Sequence, residues 1–190
     1  MITILVEGDG EKRSLPILIQ RVLGKLAIRC IDMRGKSNIL RPRLGFEETI
    51  RRQCVLGQRI FIVLIDGDVT SAPYRSLSEE RRDMKRRVQT LAKELKVTIE
   101  VCWAVRESES WLVGGIHRNA KYCGLRNVGK VPNNTESAPS DPKQWLKKHM
   151  KGGYRPPQQA CLASKIDLNA AKKRNHSMRT FLETVARLSS

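Results

Sequence analysis

A chain of 190 residues is long enough for one sizeable domain and a small extension. Its residues are 40% apolar and 29% charged, a globular balance, and no window approaches the ~18 apolar residues of a membrane span. The formal charge of +17 is uneven, with +4 over residues 1–68, +3 over 69–118 and +10 over 119–190, which points to a polyanionic partner met by the last third.

Met1 runs directly into apolar residues, with no basic segment, apolar run and small-residue cleavage site. That start predicts a complete, untargeted, cytoplasmic protein. Residues 2–6 (ITILV) read as a strand. Leu15, Leu18, Ile19 and Val22 recur at helical spacing, which predicts a helix capped by Ser14 and ended by Gly24. Residues 26–33 form a second strand, 34–45 a loop, and 46–56 a short helix stopped by Gly57. Residues 59–65 (RIFIVLI) are apolar on both faces, as a central parallel strand must be. A helix follows over 77–96, with Ser76 and Glu79 resembling a capping box, and 97–105 make the fourth strand.

Strands alternating with helices predict an α/β fold: a Rossmann-like, mainly parallel sheet of about four strands, covered on both faces. The pattern changes near residue 118. A polar loop over 126–140 precedes a helix opened by Asp141-Pro142 and closed by Gly152-Gly153. Residues 154–177 mix turns with a short helix, and Met178, Phe181, Leu182 and Val185 mark a last amphipathic helix. We therefore expect a catalytic domain over 1–118 and a basic helical extension over 119–190. The five cysteines show no CxxC pair and the three histidines lie far apart, so free thiols are expected and zinc spacing is absent.

The chemistry-bearing residues stand at strand ends, where open parallel sheets collect functional groups. The first strand ends at Glu7, the third in DGD (Asp66 and Asp68), and the fourth runs into RESES (Glu107 and Glu109). In extended chain, residues two apart face one way, so each pair can point together along the rim. Clustered carboxylates need a compensating cation, and an all-oxygen ligand set selects Mg²⁺ or Mn²⁺. Such an ion on a basic protein suits cleavage of phosphodiesters. Asp9 and Glu11 read either as further acids of the metal shell or as favourable charges at a helix N-terminus, the second being preferred. The RGKS of residues 34–37 is like the end of a phosphate-binding P-loop, but the glycine needed five positions before Gly35 is Cys30. Lys36 is left as a phosphate contact on the rim.

These residues resemble a TOPRIM domain, the metal-binding catalytic fold of topoisomerases, primases and OLD-family nucleases. The resemblance rests on Glu7 in LVEGDGE and on Asp66 and Asp68 in LIDGD, and spans residues 1 to about 115. A finer similarity is to small stand-alone bacterial TOPRIM-like proteins, some linked to phage defence. It adds ESWL with Glu109, the tail YRPPQQACLASKIDL and the later SMRTFL. By this resemblance Glu7, Asp66, Asp68 and Glu109 are catalytic, and the same four with Glu107 hold metal.

The implied activity is a Mg²⁺-dependent nuclease on DNA or RNA, since the chain lacks the further domains of topoisomerases and primases. Expected nucleic-acid contacts are Lys36, Arg106, Lys147, Lys148, Lys151, Arg155, Lys165, Lys172, Lys173 and Arg174. Two other readings stay open: a non-catalytic module binding nucleic acid or a nucleotide, and an effector controlled by a partner ATPase.

Overall fold

The computed structural model describes residues 1–67 and 70–189. Four strands, β1 (Ile2–Val6), β2 (Ile28–Asp32), β3 (Ile60–Asp66) and β4 (Thr98–Ala104), form one sheet in the order β2-β1-β3-β4, with every pairing parallel. β1 and β3 are the two central strands. Their continuous apolar runs are buried on both faces, which is why alternation is missing from their sequences.

Register fixes what each face carries. Leu5, Phe61, Val63 and Ile65 pack with α3 (Phe46–Val55) and α4 (Leu77–Leu95). Ile4, Val6, Ile62, Leu64 and Ala104 pack on the other face with α1 (Asp9–Leu23) and helices of the last third. That second core is continuous from Ile4 of β1 to Leu162 and Phe181, so the C-terminal segment is built into the main core.

The last third contains a single turn of 3-10 helix (Tyr122–Gly124) and four helices: α6 (Pro142–His149), α7 (Pro156–Lys165), α8 (Leu168–Arg174) and α9 (His176–Ser189). Asp141 caps α6 by accepting from the Gln144 N–H at 2.7 Å, with Pro142 in its first turn. Ser76 caps α4 by accepting from the Glu79 N–H. Among the described residues no helix is long and apolar enough to cross a membrane.

Several elements differ from expectation. α1 begins at Asp9 rather than after Ser14, and carries Pro16 inside it. Burial of Leu15, Leu18 and Ile19 against the sheet outweighs the hydrogen bond that proline removes. A short helix, α2 (Lys36–Leu40), interrupts the predicted loop, and residues 154–177 hold two helices rather than one. Glu109 opens another helix, α5 (Glu109–Gly114), directly after β4. The expectation of five free thiols is corrected: Cys123 and Cys161 form a disulfide, while Cys30, Cys54 and Cys102 are free. Packing of α7 beside the 3-10 turn brings together two cysteines 38 positions apart, which no local spacing announces.

Candidate metal centre

The chain leaves β1 toward β2 on one side, and the sheet continues to β3 on the other. The crevice between the ends of β1 and β3 is thus the topological switch point of the sheet. Glu7 and Asp66 stand on its two sides. The Glu7 carboxylate accepts from the Asp66 backbone N–H at 2.8 Å, tying the two strand ends together. Alternation along β3 turns Asp66 to the face of Leu64, where α1 packs.

Gly67 then lets the chain turn tightly. Its N–H donates to the carbonyls of Ala104 and Arg106, and a Cβ there would sit 2.8 Å from the Ala104 oxygen. This close approach brings the start of α5 over Asp66. Ser108 becomes the hub: its N–H donates to Asp66 Oδ1 at 3.0 Å, and its hydroxyl lies 2.6 Å from Glu11 Oε1 and 3.4 Å from Glu109 Oε2.

Three carboxylates therefore converge. One oxygen each from Glu11, Asp66 and Glu109 lies within 4.8 Å of the other two, and all three residues are buried, at 7%, 6% and 2% exposure. These oxygens could hold a divalent cation. The set lacks nitrogen and sulfur and so suits a hard ion. Burial raises the Asp66 carboxyl well above the usual carboxylate range, and the charges of Glu7, Glu11 and Glu109 push it further. Burial likewise lifts Glu109 to about 7, against the pull of Lys143, with Glu11 and Glu107 adding repulsion.

Lys143 on α6 supplies a positive charge at this point. Its Nζ lies 3.1 Å from Glu107 Oε1 and 3.7 Å from Glu109 Oε1. Burial alone would lower this ammonium, but Glu109, Glu107 and Asp66 outweigh it and hold it above the ordinary lysine range. Tyr154 donates to Glu109 Oε1 at 3.4 Å, and its own hydroxyl is raised by burial and by that carboxylate. Lys143 offsets part of the charge of Glu107, Glu109 and Asp66, and a proton or a bound cation would offset more.

The acids open on a cleft of about 400 Å³, whose other wall carries Lys143, Lys147, Tyr154, Arg155 and Gln159. The structure thus brings together Glu7, Asp66, Glu109, Lys147 and Arg155 from the sequence-derived set. Glu107 joins through Lys143, though not by the extended-chain geometry expected: Ser108 is helical, with φ −57° and ψ −23°. Asp68 lies outside the described residues.

The remaining basic residues stand elsewhere. Lys36 Nζ is 2.9 Å from Glu80 Oε1, inside an ion pair with a fully buried carboxylate. Arg174 donates to the Gly114 carbonyl. Lys148, Lys151 and Lys165 are exposed, while Lys172 and Lys173 line a separate groove beside Val22 and Leu182. Arg106 donates to the carbonyls of Glu136, Ser137 and Ser140, pinning the loop that leads into α6. We therefore expect Arg106→Ala to lower stability by about 1–3 kcal/mol. Thermal melts of the two proteins check this, and an unchanged midpoint would contradict the clamp.

Sequence reasoning missed Lys143, Tyr154 and Gln159, and ranked the metal-shell reading of Glu11 second. Glu11 carried a usable signal: it lies four residues after Glu7, in the first turn of a helix leaving the first strand. The preferred reading, a charge that merely favours the helix N-terminus, is corrected, because the Glu11 carboxylate is buried at the centre of the cluster. Asp9, by contrast, pairs with Arg13 on the surface.

A protein-family model described as a domain of unknown function, DUF4276, matches residues 6–186. No curated protein and no solved structure matches the chain.

Proposed function

The chain belongs to the DUF4276 family, and from its site we propose that it is a Mg²⁺- or Mn²⁺-dependent nuclease hydrolysing phosphodiester bonds of DNA or RNA. In this reading residues 1–118 form a TOPRIM-like catalytic unit, and residues 119–190 complete the cleft. The observation that carries it is the meeting of three buried carboxylates with a cationic wall across one cleft.

Glu11, Asp66 and Glu109 would hold the ion, with Glu7 beside them. A hard divalent cation held there would supply Lewis-acid polarisation of a phosphodiester oxygen. The chain's own residues do the rest. Lys147 and Arg155 bind backbone phosphates at the mouth of the cleft. Lys143 offsets the charge of Glu107 and Glu109. Ser108 fixes the orientation of Asp66 and Glu11, and Glu7 is placed to accept a proton.

Incubation with single- and double-stranded DNA and with RNA, in Mg²⁺ or Mn²⁺ and in EDTA, tests this. Cleavage is expected with metal and none with chelator. Tight binding without metal-dependent cleavage would overturn the nuclease reading and favour a binding module working with a partner ATPase.

A further inference from the structure

The cationic wall of the cleft contains an amide side chain that neither metal binding nor phosphate binding uses. Gln159, in the first turns of α7, is only 3% exposed and lines the cleft. Its amide makes no hydrogen bond among the described residues. The side chain is buried as a whole, but its amide is left open to the cleft, where a ligand can meet both its donor and its acceptor.

The space around it is reserved. Gln159 lies against Gly10 at the start of α1, and a Cβ at Gly10 would come within 1.8 Å of Gln159 Oε1. Gly10 does not occupy the left-handed region, so backbone conformation alone does not demand glycine there. Glycine at this position is what allows the amide to sit at the cleft edge, one helical residue from Glu11.

Charge and chemistry then divide the wall. Arg155 and Lys147 are exposed cations that pair with no carboxylate among the described residues, and they suit phosphate oxygens, which only accept hydrogen bonds. An amide offers both a donor and an acceptor. Its match is a group that also has both, such as a sugar hydroxyl or the edge of a base.

We propose that the α7 wall is a nucleotide-recognition subsite, in which Gln159 hydrogen-bonds the sugar or base of the nucleotide whose phosphates Arg155 and Lys147 hold. This inference rests on the nuclease reading and narrows it: the bound phosphate belongs to a nucleotide and is recognised as such. Pro156 and Pro157 lack N–H groups, so the start of α7 offers no proline amide to a phosphate, and recognition there falls to side chains.

The test measures binding to fluorescein-labelled oligonucleotides of about ten phosphorothioate-linked nucleotides, one DNA and one RNA, in Mn²⁺. Inorganic tripolyphosphate serves as a competitor that lacks sugar and base. Gln159→Leu should weaken oligonucleotide binding by about tenfold, with tripolyphosphate binding and the salt dependence unchanged. Gly10→Ala, which displaces the same amide, should reproduce this loss if Gln159→Leu folds poorly. Arg155→Gln should weaken both ligands and flatten the salt dependence. A loss confined to RNA assigns the contact to the 2′-hydroxyl, and an equal loss assigns it to atoms common to both. Wild-type oligonucleotide affinity in Gln159→Leu and Gly10→Ala overturns the subsite and leaves the nuclease reading standing. Equal losses for oligonucleotide and tripolyphosphate overturn it as well. If the wild-type protein binds neither oligonucleotide, both readings fall.

Discussion

Asp66→Asn is expected to abolish metal-dependent cleavage while making the metal-free protein more stable. The Asp66 carboxyl is buried beside Glu7, Glu11 and Glu109, and both burial and repulsion oppose its ionisation. Asparagine keeps an oxygen for the Ser108 N–H that Asp66 Oδ1 accepts, and removes the charge. Above neutral pH in EDTA the melting midpoint should rise by roughly 2–4 °C, the shift that about 1 kcal/mol produces in a chain of this size. Cleavage should fall by about 10²–10³-fold or more, because the oxygen that would meet the ion has lost its charge. Thermal melts and single-turnover cleavage, run side by side, measure both. A variant that is less stable and still active would contradict a metal role for this carboxylate; one that is more stable and inactive is the signature of a site kept at the expense of the fold.

The second large effect is a dependence of stability on pH that metal reverses. Glu109 sits at about 7 in the folded protein against an ordinary value of 4.5. A carboxyl raised in this way contributes its full stability below pH 4.5 and loses it as the pH climbs through about 7. The loss is about 3 kcal/mol for this one group. Asp66 shifts in the same direction. Groups displaced the other way, such as Asp83 and Asp167, gain their stability at the acid end and are fully ionised before this window. Lys143 is raised too, and its contribution is lost only in strongly alkaline solution.

In EDTA the wild-type midpoint should therefore fall between about pH 4.5 and pH 7, and Glu109→Gln should flatten that fall. Adding Mn²⁺ should restore the midpoint at the alkaline end and do little at the acid end, where protons occupy the same oxygens. A wild-type midpoint that rises with pH, or a Glu109→Gln profile identical to it, would show that the cluster is not charge-frustrated.

Much of this arrangement could be read before folding was known, for specific reasons. A central parallel strand is buried on both faces, so ITILV and IFIVLI stand out as unbroken apolar runs. An acid directly after such a run is carried to the crevice by topology alone, which places Glu7 and Asp66. Glu109 was legible by position, though it is held by a helix start and not by an extended segment. A cap at Ser14 starts α1 late and leaves Glu11 outside it, whereas a helix that begins at Asp9 buries the acid two residues on.

Lys143, Tyr154 and Gln159 had no local signal. They lie 77, 88 and 93 residues after Asp66 in the sequence, and reach the cleft only because α6 and α7 pack onto the main core. Basic residues were the hardest to assign. A sequence gives an arginine its charge but not its acceptor, so Arg106 and Arg174, which bind backbone carbonyls, read the same as Arg155, which faces the cleft.

Calorimetric titration of the protein with Mn²⁺ near neutral pH, in two buffers of different ionisation enthalpy, tests most directly whether the cluster is a metal centre. Saturable binding is expected, with protons released as the ion replaces those on Glu109 and Asp66, and with no detectable binding to Asp66→Asn. Absence of saturable binding in the wild-type protein, or equal binding by Asp66→Asn, would contradict it.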